Sequence, residues 1–271
     1  GRSVKVRASE RLTDAAISGF LWAFRIVVLF VVVVGSILTL AGGKYPLATW
    51  IDLVGDGLTL GSIYALIALG YTMVYGIIEL INFAHGEIYM IGAFTALIAA
   101  SALSLLGLTG PSLLILAGLI AVVYSAAYGF TIEKIAYKPL RKAQRLSPLI
   151  SAIGMSIFLQ NYVLLAQTSD FLSFPTLVDE FAFMEPVSHI MRSSELLIVV
   201  TTAIATVLLT LFIKFSRMGK AMRATAQDKT MAMLLGIDIN RVISVTFIIG
   251  SALAAVGGVL ISNHIGQINF Y

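Results

Sequence analysis

The chain has 271 residues, of which 59% are hydrophobic and only 12% are charged, and its net charge is +4 at pH 7. A soluble domain carries about a quarter charged residues and needs polar cover on its surface, so this composition excludes an ordinary soluble fold and favours a membrane protein. The basic residues lie in short blocks between apolar runs, without the interleaved aromatic residues of a nucleic-acid surface, and we expect no nucleic-acid partner.

Apolar stretches long enough to cross a lipid bilayer recur along the chain. A crossing helix needs about 20 apolar residues, and the uncharged stretch 88–132 holds two such lengths, separated by a turn that contains Gly and Pro. Ser112 follows this turn and is predicted to cap the next helix. The predicted fold class is therefore all-α, a polytopic transmembrane helical bundle. The seven predicted helices lie near residues 18–40, 57–78, 88–106, 112–132, 149–167, 195–213 and 242–262.

The first of these helices, 18–40, follows a basic segment at residues 1–17. Its uncharged run, 26–43, exceeds the roughly 7–15 residues of a signal-peptide core, so we predict an extra N-terminal transmembrane helix that stays in the membrane. The remaining residues, 41–271, are predicted to form the main membrane domain. Because the chain is still apolar at Tyr271 and no basic segment closes it, we expect the sequence to be incomplete at this end.

Lysine and arginine are concentrated in three segments, namely 1–17, 133–147 and 214–241. Basic residues of short loops lie on the cytoplasmic side. A cytoplasmic N-terminus and seven crossings place the second and third segments inside and the acidic segment 168–195 outside, so the charge rule and the helix count agree. The basic residues of the second segment include Lys142 and Arg145, and the acidic residues of the outer segment include Asp179, Glu180 and Glu185.

A polar stretch from Glu79 to Glu87 separates two very apolar helices. If the N-terminus is cytoplasmic, the two crossings before residue 79 place the turn after residue 78 on the cytoplasmic side. A broken helix at membrane depth also fits, because ionisable groups inside a membrane are costly and usually face a cavity or a partner. Asn82 is predicted to cap the next helix, and Gly86 to allow a close approach of the backbone.

The polar side chains of this break and of the fifth helix are candidates for a substrate pathway. Broken helices expose backbone N–H groups where an anionic ligand group can bind. In the break, the ionisable side chains either bind a substrate amine or hold the junction together. In the fifth helix, the polar side chains either face a pore or bond a neighbouring helix. The candidate residues are Glu79, Asn82, His85, Gly86, Glu87, Gln160 and Asn161.

Residues 217–241, here called the coupling segment, combine many charges with more apolar side chains than a free loop carries. The segment is rich in helix formers, and Gly236 is predicted to end a helix. We predict that it docks onto a partner protein; the alternative is an amphipathic helix on the lipid surface. The chain has no Gly-x-x-x-x-Gly-Lys-Ser/Thr loop, so we predict that it is not an enzyme and does not hydrolyse ATP itself.

Several long motifs follow one another in an order typical of one transporter family. They are Asp56–Leu66, Gly70–Ile78, Asn82–Glu87, Gly92–Ala93, Ser151–Tyr162 and Arg217–Ile237. Together they resemble the branched-chain amino acid ABC permeases of bacteria, over residues 56–271. The resemblance implies an inner-membrane permease subunit of an ATP-binding cassette importer. Such a subunit translocates branched-chain or other hydrophobic amino acids into the cytoplasm.

The resemblance also implies partners. A permease of this kind pairs with a second, related permease subunit, and two cytoplasmic ATPase subunits bind beneath and hold ATP and Mg²⁺. A periplasmic substrate-binding protein delivers the amino acid, and this chain is expected to bind no cofactor. The coupling segment then resembles the part that fits into an ATPase cleft, with the family's Glu-Ala-Ala-type signature in altered form. The implied coupling residues are Arg217, Gly219, Arg223, Ala226, Gln227, Asp228, Leu235 and Gly236.

Two other functions fit the residues alone. A secondary transporter driven by an ion gradient would need titratable groups at the midplane, and only Glu79, His85 and Glu87 are candidates. A membrane scaffold subunit would have no pathway at all. Relatives with this pattern handle branched-chain amino acids, other amino acids, amides or urea, so the residues leave the substrate open.

Overall fold

The chain is described by a computed structural model over residues 2–43, 45–141, 143–144, 146–167, 170–175, 177 and 192–269. These residues are almost entirely helical, which confirms the all-α class. The α-helices are α1 (Arg2–Ala41), α2 (Leu47–Ile78), α3 (His85–Ser104), α4 (Gly110–Ile132), α5 (Leu146–Ala166), α6 (Ser193–Phe215), α7 (Arg217–Gln227), α8 (Lys229–Leu234) and α9 (Ile239–Ile265). A π-helical turn (Glu133–Tyr137) and a 3-10 turn (Lys138–Leu140) follow α4, and strands β1 (Leu172–Ser173) and β2 (Gln267–Ile268) pair antiparallel.

Seven helices in the described part of the chain are long and apolar enough to cross a membrane, which confirms the predicted number. The second of them, α2, begins at Leu47 rather than near residue 57. The uncharged stretch used for the prediction began after Asp56, but Asp52 and Asp56 lie within the helix. Several residues of the charge argument lie outside the described residues, namely Lys142, Arg145, Asp179, Glu180 and Glu185, as does Tyr271.

The start of α4 differs from the prediction. Thr109 precedes the helix in an extended conformation, and Pro111 lies in the first turn, where its fixed φ suits a helix start. Ser112 is already inside the helix, and its hydroxyl donates to the Thr109 carbonyl at 2.8 Å. The prediction that Ser112 caps α4 is therefore wrong, because the helix starts two residues earlier, at Gly110.

The chain divides into two compact units, residues 1–53 and 54–271. The first unit holds α1 and the first residues of α2, so the division falls inside α2. None of the described side chains between Ile17 and Ala41 is buried within the protein. A helical stretch that is apolar all round and has no buried side chain among its described residues suits a lipid environment.

In the second unit, α9 is the central helix, and 72% of its membrane-spanning stretch is buried. It packs with α3 and α4 in the main hydrophobic core and with α2 and α6 in a second cluster. The second cluster consists of Ile63, Leu66, Met73, Ile198, Leu209, Leu253 and Leu260.

Small residues bring α9 close to its neighbours. A Cβ atom added to Gly92 would lie 2.7 Å from the Cα atom of Ala255, and one added to Gly70 would lie 2.8 Å from the Gly250 carbonyl oxygen. Side chains do not fit at such distances, so these glycines set how closely α3 and α2 approach α9.

Contacts between distant segments define the two ends of the second unit. At one end, Lys229 reaches the end of α2, and Arg141 donates to Asn240 at the start of α9. At the other end, Leu172 of β1 pairs with Ile268 of β2. The end of α2, the end of α4 and the coupling segment therefore lie at the same end of the second unit, as the count of crossings predicts. That this end is cytoplasmic stays a prediction.

Candidate functional site

The helix break begins where α2 ends. Glu79 has a left-handed backbone with φ +62°, and its N–H still bonds the Tyr75 carbonyl at 2.8 Å. This is the C-terminal position that glycine normally takes, because a side chain is strained there. The Glu79 carboxylate is exposed and lies 3.7 Å from the ammonium of Lys229, which also donates to the Ile78 carbonyl at 3.2 Å.

Asn82 is buried in the middle of the break. Its Oδ1 atom accepts from the Ala84 N–H at 3.1 Å and from the Tyr137 hydroxyl at 3.1 Å. The residue that precedes α3 is Ala84, which makes no side-chain cap, so the prediction that Asn82 caps the helix is wrong. Asn82 instead closes a local turn two residues before the helix, where short polar side chains compete for backbone N–H groups.

His85 opens α3 and is packed against the middle of α2. The ring of Tyr71 meets it edge-on at a centroid distance of 5.9 Å, and a Cβ atom on Gly70 would lie 2.9 Å from its Cε1 atom. Nε2 makes no hydrogen bond of normal geometry, although the backbone of Ile67 is near enough to interact with the ring. Gly70 is eight residues before the end of α2, about 12 Å along the axis, so the chain folds back beside α2 before α3 starts.

Glu87 lies in the first turn of α3 and faces α5. Its Oε1 atom accepts from the Ser156 hydroxyl at 2.8 Å and from the Gln160 amide at 3.0 Å. No cation among the described residues pairs with this buried carboxylate. Asn161 points elsewhere, since its amide donates to the Ile157 carbonyl of its own helix at 2.8 Å.

The sequence predicted only some of the residues that meet between α3 and α5. Gln160 joins Glu87, whereas Asn161 does not, and Ser156 was missed. Ser156 and Gln160 are four residues apart and therefore lie on one face of a helix. This spacing could have predicted Ser156 as a site residue next to Gln160. Gly86 is exposed, and nothing in the described structure lies within 4 Å of a Cβ atom placed on it, so no close backbone approach occurs there.

A second buried carboxylate, Glu133, was not predicted as a site. It lies in the π-helical turn and is fully buried. It accepts a hydrogen bond from Arg141, forms an ion pair with Lys134 at 3.1 Å and accepts from the Ser244 hydroxyl at 3.0 Å. Burial lowers the pKa of the Arg141 guanidinium, and the adjacent carboxylate opposes that shift. Glu133 and Glu87 therefore differ, because Glu133 has two cations and Glu87 has neutral donors.

The coupling segment is held in shape by caps. The Ser216 hydroxyl accepts from the Gly219 N–H at 2.8 Å and starts α7, and the Asp228 carboxylate accepts from the Met231 N–H at 2.9 Å and starts α8. Gly236 follows α8 with φ +82°, and its N–H bonds the Met233 carbonyl, which confirms the predicted helix end. The segment is thus a defined helical unit and not a free loop.

Some predicted coupling residues hold the segment against α6. Arg223 donates to the Ile213 carbonyl at 3.0 Å, and a Cβ atom on Gly219 would collide with the carbonyl oxygens at the end of α6. Others face outward, namely Arg217, Ala226, Gln227, Asp228 and Leu235. They are joined by three further exposed apolar side chains, Met231, Met233 and Leu234.

A cavity of about 300 Å³ lies between α3, α9 and β2, at the end opposite the coupling segment. Tyr89, Ala93, Ile261 and Ile268 are among its lining residues. Its lining includes none of the pathway residues predicted from the sequence.

The arrangement combines a bundle of crossing helices, a helix break and a surface-exposed helical pair. The family model described as branched-chain amino acid transport system, permease component, matches residues 53–271. The chain belongs to this family. This confirms the resemblance found in the motifs and identifies a membrane transport subunit of the inner membrane, in preference to a scaffold or a gradient-driven transporter.

Curated relatives agree with the family. The chain is 50% identical over 220 residues to the high-affinity branched-chain amino acid transport system permease protein LivH of Escherichia coli K12 and of Salmonella typhimurium. These alignments cover 80% of this chain and 71% of the relative. The protein BraD of Pseudomonas aeruginosa, with the same description, is 52% identical over 218 residues, which cover 79% of this chain and 71% of BraD. No solved structure matches the chain.

Proposed function

We propose that this permease subunit carries branched-chain or other hydrophobic amino acids into the cytoplasm, driven by ATP hydrolysis on separate subunits. The relatives are named as permeases of high-affinity branched-chain amino acid transport systems. The observation that carries the proposal is the coupling segment, a capped helical pair with exposed apolar side chains on a chain without a nucleotide-binding motif.

The coupling segment has the composition of a docking surface. Leu234 and Leu235 are 76% and 75% exposed at the tip of α8. The charged residues Arg217, Lys220 and Asp228 are also exposed on this segment. An apolar centre with a polar rim is the usual anatomy of a protein interface. Because the segment is basic and ATP is cytoplasmic, we assign it to the cytoplasmic side and its partner to the ATPase subunits.

Glu87 is the proposed ligand of the substrate ammonium. A buried carboxylate inside a membrane protein is costly without a cation, and such groups mark substrate pathways. Both neutral donors, Ser156 and Gln160, bond to Oε1. The second carboxylate oxygen therefore keeps its capacity to accept, and an amino acid would supply the missing positive charge. In this proposal Glu79, Asn82 and His85 hold the helix break and do not touch substrate.

The remaining subunits follow from the family type. A second permease subunit would complete the pathway, and a periplasmic binding protein would deliver the amino acid at the end that carries β1 and β2. ATP and Mg²⁺ would be held by the ATPase subunits. The N-terminus would then lie in the cytoplasm.

The test replaces two residues that shape the coupling segment. Asp228→Ala removes the cap of α8, and Gly236→Ala puts a side chain on a left-handed residue, each at a cost of about 1 kcal/mol. We expect both variants to bind the ATPase subunits about fivefold more weakly and to import leucine correspondingly more slowly. Gly154→Ala is the control, since a Cβ atom there meets nothing within 4 Å. Normal association and normal uptake in both variants would contradict the assignment of the coupling segment to ATPase docking.

A further inference from the structure

Lys229 connects the coupling segment to a part of the chain 151 positions away. Its ammonium donates to the Ile78 carbonyl at 3.2 Å and lies 3.7 Å from the Glu79 carboxylate. The last carbonyls of a helix have no partner within the helix, so Lys229 satisfies one of the unpaired acceptors at the end of α2.

The local structure of α8 does not account for this lysine. It is the first residue of α8, immediately after the Asp228 cap. A positive charge is disfavoured at the N-terminal turn of a helix and favoured at the C-terminal turn. Lys229 is therefore unfavourable for α8 and favourable for α2, which indicates a role between the two helices.

Glu79 adds a second indication. It occupies the left-handed position at the end of α2 although it is not glycine, a strained backbone that persists only when the surroundings hold it. Its side chain points to Lys229, so the strain and the ion pair coincide at one residue. Backbone strain of this kind is found at switch regions and functional sites.

We infer that Lys229 is a positioning residue that ties the coupling segment to the end of α2 and, through Glu79, to the helix break that leads to Glu87. A displacement of the coupling segment then moves the break with it. The inference rests on the proposed function, because only an ATPase-driven subunit has a displacement to transmit. It differs from docking itself, since the outward-facing apolar tip and not Lys229 would contact the ATPase.

The first experiment uses the whole transporter, reconstituted in vesicles with its ATPase subunits, the second permease subunit and the binding protein, with leucine as the probe. The readout is the number of ATP molecules hydrolysed per leucine imported. Lys229→Gln should raise this ratio about fivefold while ATPase association stays normal, because a charged hydrogen bond to a carbonyl is lost. Lys229→Arg should restore the ratio, and Lys138→Gln, an exposed cation outside the coupling segment, should leave it unchanged.

A normal ratio in Lys229→Gln overturns the inference, and so does loss of ATPase association in that variant, which would make Lys229 a docking residue. If the unmodified chain fails to associate with any ATPase or to import leucine, the proposed function fails instead, and the two failures are distinct.

A second variant keeps the inference testable if Lys229→Gln does not fold. The chain has no cysteine, so in the double variant Glu79→Cys, Lys229→Cys a reducible bis-methanethiosulfonate linker can join only these two positions of the chain. If the two residues move together, the crosslinked protein imports leucine with the normal ratio, and the reduced protein shows the raised ratio. Import that stops on crosslinking and returns on reduction would mean that the two residues separate during transport, and the inference would be wrong.

Discussion

Glu133 and Ser244 are 111 positions apart in the sequence and are joined by a hydrogen bond of 3.0 Å in the protein interior. The same carboxylate receives Lys134 and Arg141. One buried group thus connects the end of α4 and its π-helical turn to the first turns of α9. Because two cations depend on it, its loss leaves both without their counter-charge.

We expect Glu133→Ala to lower the free energy of unfolding by about 3 kcal/mol, since removing one partner of a buried ion pair leaves the other charge uncompensated. Glu133→Gln should be less severe, because the amide oxygen can still accept from Ser244. Thermal unfolding in detergent measures both. Glu79→Ala is the matched control, as that carboxylate is 64% exposed and should change the midpoint little.

The close contact between α3 and α9 gives a packing prediction. Gly92→Ala should destabilise the protein by about 1–3 kcal/mol, because the added methyl group meets backbone and side chain of Ala255 and forces the helices apart. Gly154→Ala, with open space around it, should be neutral or slightly stabilising, since alanine favours a helix over glycine by about 1 kcal/mol. Equal unfolding midpoints for the two variants would contradict the packing argument.

The proposed role of Glu87 predicts a transport defect without a defect in assembly. Glu87→Gln keeps the shape and loses the charge, so we expect leucine uptake to fall about tenfold, the value of one charge-assisted hydrogen bond. Co-purification with the ATPase subunits should be unaffected. Asn161→Leu is the control on α5, because that amide bonds only its own helix among the described residues. Normal uptake by Glu87→Gln would exclude the ammonium assignment.

The exposed tip of α8 predicts a binding defect. Leu234→Glu puts a charge into the centre of the proposed ATPase interface, so association should weaken at least about tenfold, as for a central interface residue. Stability should be unchanged, since the side chain is exposed. Leu105→Glu, at a leucine that directly follows α3 and is even more exposed, should leave association intact. Normal ATPase binding by Leu234→Glu would mean that the interface does not include the tip of α8.

Much of the fold was predictable because lipid imposes a simple rule. A crossing helix needs a minimum apolar length, and this length gave the seven helices and the break near residue 79 without any tertiary information. The rule failed at the start of α2, where Asp52 and Asp56 are tolerated within the helix. Charged residues near helix ends do not stop a helix, although they do end an apolar stretch.

The site was less predictable because its partners are distant in sequence. In the sequence, Glu133 is the one acidic residue of the basic segment 133–147, and only the fold brings Ser244 of α9 to it. Similarly, whether Asn161 or Gln160 faces α3 depends on the rotation of α5, which composition does not define. The coupling segment was the exception, since its own caps and its mixed composition are local properties.

The length of α9 has a consequence for the membrane itself. Its 27 residues span about 40 Å, whereas the hydrocarbon layer of a bilayer is about 30 Å thick. The polar ends of the helix, with Asn240, Arg241, Asn263 and His264, extend into the headgroup regions, so its apolar middle has to match the thickness of the hydrocarbon layer. Because α9 takes part in both hydrophobic clusters and bonds Glu133 through Ser244, a change in acyl-chain length acts on the whole second unit. Transport should therefore be sensitive to the thickness of the bilayer in which the protein is reconstituted.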